Sequence, residues 1–153
     1  MSANSRPIFL SLLMMLLMSG LWATPAAAQV AAGVRGGVSI EADQVFVGGH
    51  VETEPLIDRL RFRPNVEVGF GDGLTMTAFN FEFVYAFPSR SPWHLYAGGG
   101  PSVNFLRAGG RNNTDGGFNL LVGAENRTGL FFEGKIGVAS GADAKFAVGY
   151  TFR

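Results

Sequence analysis

The two histidines are the residues of this chain whose type and spacing could support acid/base or metal chemistry. His50 stands two positions before Glu52 in "GGHVET", so both side chains fall on one face of a strand, and His94 lies in "SPWHLY". A metal pair or an acid/base site is one interpretation. We favour two members of a hydrogen-bond network, because no segment offers the arrangement of a covalent triad. The sequence therefore predicts no enzyme active site, no metal site and no cofactor.

Residue content excludes further kinds of chemistry. The chain has no cysteine, so thiol, thiolate-metal and disulfide chemistry are absent. The glycine-rich pieces "YAGGGPS" and "RAGGRNNTDGG" neither precede a helix nor contain the lysine of a phosphate-binding loop. The charge is balanced, with 12 basic and 12 acidic residues, and no basic patch indicates a nucleic-acid partner.

Residues 1–28 have the pattern of a secretory signal peptide. Arg6 supplies the positive charge, an apolar run follows over residues 8–22, and Ala26 and Ala28 occupy the cleavage-site positions. The alternative is a membrane anchor, but the run is shorter than the ~20 apolar residues that a spanning helix needs. We expect the mature protein to begin at Gln29 and to form one domain over residues 29–153.

After the signal peptide, apolar residues recur at a period of two, with Gly, Asp, Asn and Pro clusters between the runs. This pattern is typical of an all-β meander. Pro64 lies within the third run and has no backbone N–H to donate to a neighbouring strand, so we expect a local bulge or a gap in strand pairing there. The predicted strands lie near residues 30–40, 44–53, 60–70, 76–87, 93–107, 117–125, 130–138 and 145–153.

One face of these strands combines glycine with charged residues of both signs. A soluble exterior is usually rich in Lys, Glu and Thr, whereas the only lysines are Lys135 and Lys145. Buried charges persist when they are paired and hydrogen-bonded, so a narrow barrel lumen filled by an ion-pair network accounts for the pattern. The residues predicted to form that network are Arg35, His50, Glu52, Arg61, Arg63, Glu67, Glu82, His94, Glu125, Glu133 and Lys135.

The opposite face is apolar and carries an aromatic row on the fourth strand. A barrel strand crosses a bilayer in ~9–11 residues. Without water at mid-bilayer, a sheet can cross only as a closed barrel. We therefore predict that this face contacts lipid. The predicted lipid-facing aromatic residues are Phe79, Phe81, Phe83, Tyr85, Phe87, Phe132, Tyr150 and Phe152.

With a signal peptide, about eight amphipathic strands and the terminal strand "FAVGYTFR", the sequence resembles the small outer-membrane β-barrel proteins, which include OmpX-like and opacity-type barrels and the OmpA membrane domain. The resemblance implies a closed antiparallel up-and-down transmembrane β-barrel, inserted into the outer membrane of a Gram-negative bacterium by the barrel-assembly machinery. One position departs from the pattern, since these chains commonly end on the aromatic residue and here Arg153 follows Phe152. The lipid A deacylases of this class place a His and a Ser together on the lipid-facing surface, and neither histidine here has that setting.

An even number of strands would leave both termini in the periplasm. We therefore predict that the loops on the cell-surface side lie near residues 41–43, 71–73, 107–116 and 139–144. Only the third, "RAGGRNNTDGG", has any length. Its Arg107 and Arg111 could contact lipopolysaccharide phosphates by charge-assisted bonds. We favour a flexible cap without a ligand, and the sequence names no surface ligand.

Together these features predict a non-enzymatic outer-membrane barrel with a structural or surface role and a lumen filled by polar and charged side chains. Eight strands enclose an interior just wide enough for side chains. Three alternatives stay open: a soluble periplasmic lipocalin-like barrel that binds an apolar ligand against the aromatic row, a narrow porin-like channel, and a surface adhesin.

Overall fold

The computed structural model describes residues 30–41, 43–71, 73–138 and 143–153. The predicted signal peptide and Gln29 lie outside these ranges. No helix within them is long and apolar enough to cross a membrane. The chain forms eight strands: β1 (Ala31–Ser39), β2 (Gln44–Glu52), β3 (Leu60–Gly71), β4 (Leu74–Ala86), β5 (Trp93–Ala108), β6 (Arg111–Asn126), β7 (Leu130–Gly137) and β8 (Ala144–Phe152).

The strands close into a barrel. Each strand pairs antiparallel with the next, and β8 pairs with β1 from Ala32↔Phe152 to Ser39↔Lys145. Closure gives every strand two neighbours and leaves the sheet without a free edge strand. The predicted fold class, a closed antiparallel up-and-down barrel of about eight strands, is confirmed.

The alternation of side chains sorts each strand into an inward and an outward set. On β4, Ala78, Glu82 and Val84 have no exposed surface, whereas Phe79 is 39% exposed and Phe83 is 44% exposed. The same period of two runs through the other strands because successive side chains point to opposite faces of a sheet. The fold therefore separates a charged and glycine-rich interior from an apolar exterior.

Two prolines interrupt the hydrogen-bonded ladders. The β2–β3 ladder stops at His50↔Asn65, one step before Pro64, and a backbone bond from Thr53 N to Phe62 O follows at 3.0 Å. The gap expected at Pro64 is thus confirmed. Pro101 coincides with a second gap, between β4 and β5, that was not predicted. Both gaps follow from the missing proline N–H.

The prediction of a long loop over residues 107–116 is wrong. β5 and β6 pair without interruption as far as Ala108↔Arg111, and Gly109 and Gly110 alone form the turn. Both glycines have positive φ, 52° and 78°, as the central residues of a type I′ hairpin turn require. Turn-forming composition suggested a loop, but pairing with β5 holds the segment in a strand that begins at Arg111.

The barrel has two distinct ends. The terminal end holds Val30 and Arg153 together with the connections 53–59, 87–92 and 127–129. The hairpin end holds the β1–β2, β3–β4, β5–β6 and β7–β8 connections. These correspond to the four loops that the sequence predicted on the cell-surface side. Residues 139–142 of the last connection lie outside the described ranges.

Candidate functional site

The inward side chains of successive strands converge on a buried charged network that fills the lumen. Most of the residues predicted for this network are at most 9% exposed. They meet because a narrow barrel directs alternate residues of every strand at the same axis. The buried members from that prediction are Arg35, His50, Glu52, Arg61, Arg63, Glu67, Glu82, Glu125, Glu133 and Lys135.

Near the terminal end, two carboxylates bind three guanidinium groups. Arg61 donates to Glu52 at 2.7 Å and also pairs with Glu125. Arg63 Nε donates to Glu52 at 2.9 Å. Arg153 donates to both carboxylates at 3.0 Å, so the residue that follows the terminal aromatic turns into the lumen. Arg153 thus closes the network at this end.

Glu133 lies at the centre of the lumen and gathers three donors. Arg35 donates to it at 2.9 Å, Arg63 at 3.2 Å, and the Tyr96 hydroxyl at 2.9 Å. The Arg63 guanidinium also stacks over the Tyr96 ring, 4.8 Å from its centroid. Donors on three other strands therefore compensate the burial of this carboxylate, as a charge without access to water requires.

Towards the hairpin end, Glu67 is the main acceptor. Lys135 donates to Glu67 at 2.9 Å, and Lys145 and Arg35 each reach it at 3.4 Å. Lys135 also pairs with Glu82 at 2.6 Å. Because Arg35 contacts both Glu133 and Glu67, it joins the central carboxylate to this cluster.

Three amides extend the network beyond the last charges. Asn65 donates to Glu82 at 2.7 Å, Asn80 donates to Asn65 at 2.7 Å, and Asn119 donates to Asn80 at 2.8 Å. The chain of polar contacts therefore continues from Arg153 at the terminal end to Asn119 on β6.

The two histidines do not form a common site. His50 Nε2 lies 3.0 Å from Thr151 Oγ1, and its ring packs edge-on against Phe131. His94 is half-buried at the terminal mouth, next to Glu125 in the β5–β6 register. Among the described residues, no group of three or more acidic or histidine side chains is placed to hold a metal ion. The geometry thus groups His50 with the lumen network and leaves His94 at its rim.

Several lumen residues were not among the predicted network members. Lys145 lies on β8 and Arg153 directly follows that strand. The alternation of "KFAVGYTFR" predicts both on the polar face, although the predicted network did not include them. Tyr96 and Phe131 are aromatic residues on that face, with 1% and 0% exposure. Their position in the sequence could have identified them, because they alternate with charged residues on the inward face, where an aromatic ring can stack on a guanidinium.

The exterior is apolar along most of the barrel wall. The rings of Phe62 and Phe83 pack at 5.0 Å, and those of Trp93 and Phe132 at 5.9 Å. Such lateral contacts leave each ring partly exposed to the outside. The aromatic residues predicted to face lipid all lie on this exterior: Phe79, Phe81, Phe83, Tyr85, Phe87, Phe132, Tyr150 and Phe152.

Two cavities flank the network. One of about 560 Å³ opens at the terminal end, and Arg61, Glu125 and Arg153 line it. The other, of about 120 Å³, lies towards the hairpin end beside Asn119 and Lys135. The buried ion pairs separate them, so the lumen is a pair of vestibules with a packed middle.

No protein-family model matches the chain, and no curated protein matches it. Several solved structures, however, match the fold of the chain. The β-barrel domain of Pseudomonas aeruginosa OprF superposes with a TM-score of 0.59 at 16% identity, and covers 80% of this chain and 96% of its own. Neisserial surface protein A (NspA) gives a TM-score of 0.63 at 15% identity, with 80% and 94% coverage.

The chain has the fold of the small outer-membrane β-barrels. The outer-membrane enzyme PagL also shares this fold, with a TM-score of 0.53, 14% identity, and coverage of 80% of this chain and 99% of its own. At these identities the likeness concerns the fold alone. Because the fold hosts an enzyme, activity has to be judged from the residues of each barrel.

Proposed function

We propose that the protein is a non-enzymatic barrel of the outer membrane, with a structural or surface role and a lumen that does not conduct solutes. The membrane assignment is supported by the apolar exterior and by the shared fold of outer-membrane barrels. A signal peptide over residues 1–28 would take the chain across the inner membrane. The barrel-assembly machinery is the proposed partner during insertion, and outer-membrane lipid is the partner of the folded state.

The proposal that the lumen is closed rests on the tightly packed middle of the charged network. Glu133 and Arg63 are at most 3% exposed, and ion pairs connect them to both ends. Moving an ion through this region would require breaking buried pairs, which is strongly unfavourable. Conduction by a narrow channel is therefore the less favoured function.

A lipocalin-like barrel would need an apolar interior. Here the aromatic row of β4 lies outside, and Glu67, Glu82 and Arg63 occupy the inside with at most 1% exposure. In plain buffer the apolar exterior would form one large exposed patch, which soluble monomers avoid. This arrangement favours a membrane barrel over a soluble ligand-binding one.

The positions of the two histidines support the non-enzymatic assignment. The outer-membrane enzyme PagL shows that this fold can host catalysis. In this chain, however, the His50 side chain is 4% exposed and packs against Thr151 and Phe131 in the lumen. A test for hydrolysis of outer-membrane lipids by the folded barrel, with His50→Ala and His94→Ala as controls, should show no histidine-dependent activity.

Heat-modifiability tests the membrane assignment. The barrel is folded into detergent or lipid, and its gel mobility is compared before and after boiling. We expect a compact, fast-migrating unboiled band that forms only with detergent or lipid. Folding in plain buffer would contradict the proposal and would redirect attention to ligand binding.

Planar-bilayer conductance tests the closed lumen. We expect no current through the wild-type barrel. We expect a current through the double variant that combines Arg63→Ala and Tyr96→Ala, because these two side chains fill the space beside Glu133. Phe83→Ala removes an aromatic side chain from the exterior and is the control, in which we expect no current. A wild-type current whose selectivity changes in Arg63→Ala would instead establish a channel.

A further inference from the structure

Strand β6 continues at the hairpin end beyond the last residue of its neighbour β7. The β6–β7 ladder ends at Asn119↔Gly137, whereas the β5–β6 ladder continues to Ala108↔Arg111. Every strand has two neighbours in the barrel wall. Among the described residues, however, the stretch 111–117 of β6 pairs with β5 on one side and with no strand on the other. We call this stretch the free edge.

The free edge presents backbone hydrogen-bonding groups at a regular spacing. In an antiparallel strand, the N–H and C=O of one residue point to one neighbour and those of the next residue point to the other. Val138 N donates to Phe118 O at 2.8 Å, so the even-numbered residues here point to the β7 side. The N–H and C=O groups of Asn112, Thr114 and Gly116 therefore point away from β5. Their spacing matches that of a second extended backbone.

The free edge lacks the features that protect natural edge strands from pairing. Such edges carry proline, lysine or a β-bulge. The sequence "RNNTDGG" contains neither proline nor lysine, and it pairs with β5 in an unbroken register. A Cβ at Gly116 would meet no atom within 4 Å, so there is space for a second backbone at this position.

The charges of the free edge are complementary to those of a second, antiparallel copy. Arg111 and Asp115 lie on the same face of β6. Two-fold symmetric pairing centred on Asn113 places each Arg111 opposite the Asp115 of the other copy. These are non-hydrogen-bonded positions, at which opposed side chains come closest and opposite charges are favourable. Pairing centred on Asp115 would instead oppose two carboxylates.

The space beside the free edge also fits the register centred on Asn113. In this register Gly110, in the turn of one copy, lies opposite Gly116 of the other copy. The second hairpin therefore ends before it reaches Phe118, where the bond from Val138 restores the barrel wall. Arg111 has no ion pair among the described residues, so its guanidinium is available to the Asp115 carboxylate of a second copy.

We propose that the free edge pairs antiparallel with the free edge of a second copy of this chain, and so joins barrels in two facing membranes head to head. This inference rests on the proposed outer-membrane location, in which the hairpin end faces the cell exterior. Two copies in one membrane are related by an axis along the membrane normal. That axis would set the edges parallel, with like backbone groups opposite each other. Each contact is small, and many copies on facing surfaces act together.

Cysteine cross-linking of the folded barrel in detergent tests this pairing, because the chain has no cysteine of its own. In the proposed register the two copies of residue 113 lie about 4.5 Å apart between Cα atoms, within reach of a disulfide. We expect Asn113→Cys to form a disulfide-linked dimer under mild oxidation with copper phenanthroline. Gly116→Cys is the matched control on the same edge. Its two copies lie about 20 Å apart, and we expect it to stay monomeric.

Charge exchange in the Asn113→Cys barrel tests the register. Arg111→Asp should slow cross-linking about tenfold, because it replaces two opposite-charge pairs by two like-charge pairs. Adding Asp115→Arg to that variant exchanges the two charges and should restore the wild-type rate. A failure of the second change to restore cross-linking would overturn the proposed register.

Equal cross-linking of Asn113→Cys and Gly116→Cys would overturn the proposal, because it would indicate parallel edges or random collision. Absence of cross-linking in both would overturn it as well and would leave the free edge to an extended segment of another protein. Heat-modifiability of each variant is measured alongside. A heat-modifiable barrel without the cross-link refutes only this inference, whereas a barrel that folds in plain buffer refutes the proposed location.

Discussion

Arg35 on β1 donates a 2.9 Å hydrogen bond to Glu133 on β7, across 98 positions of sequence. The same Arg35 nitrogen reaches Glu67 at 3.4 Å. Through these two contacts, the ion pairs of the terminal end and those of the hairpin end become one network. The lumen is therefore closed by a single connected set of charges.

Replacement of Glu133 by Gln should destabilise the folded barrel by about 3–5 kcal/mol, because it leaves Arg35 and Arg63 buried without their shared anion. The free energy of unfolding in urea, followed by the gel-mobility shift in lipid vesicles, measures the effect. Glu54→Gln makes the same chemical change at an exposed position and should leave stability unchanged. Equal stability of both variants would mean that Glu133 is not part of a tightly coupled network.

Replacement of Phe83 by Arg should lower the stability of the barrel in lipid vesicles by about 2–4 kcal/mol, because Phe83 lies at the centre of the outward aromatic row. Phe87→Arg is the matched control at the end of that row. There an arginine can extend to the headgroups, and we expect a loss of about 0–1 kcal/mol. Equal losses at the two positions would indicate that the row does not lie along the membrane depth.

Replacement of Gly110 by Val should destabilise the β5–β6 hairpin by about 1–2 kcal/mol, since a β-branched residue disfavours the φ of 78° at this position. Gly116→Val on the same hairpin is the control, because a Cβ there meets no atom within 4 Å. Hydrogen exchange of the hairpin amides would report the difference. A loss that is as large for Gly116→Val would point to a general intolerance of side chains and not to turn geometry.

Replacement of Arg153 by Ala should change stability by only about 0–1 kcal/mol, because its side chain is 35% exposed and water screens its two ion pairs. Heat-modifiability and urea unfolding measure this change. Arg63→Ala removes a fully buried guanidinium from the same carboxylates, and we expect a much larger loss. Arg153 would have a larger role than its exposure suggests if the two variants were equally unstable.

Local pattern predicted much of this fold. The period of two in "RFRPNVEVGF" separates Arg61 and Arg63 from Phe62 without any knowledge of neighbouring strands, because alternation is a property of an extended backbone. Pro64 likewise predicted its pairing gap from the missing N–H alone. The extension of β6 to Arg111 did not follow from composition, because the pairing that holds "RNNTDGG" extended comes from β5.

Most of the strand segments, their two faces and the charged character of one face follow from residues one or two positions apart, and so they can be predicted from the sequence alone. Which charges meet depends on tertiary contacts that the local pattern does not contain. Arg35 and Glu133, or Arg153 and Glu52, are remote in the chain and come together through the closure of β8 on β1 and the register of each strand pair.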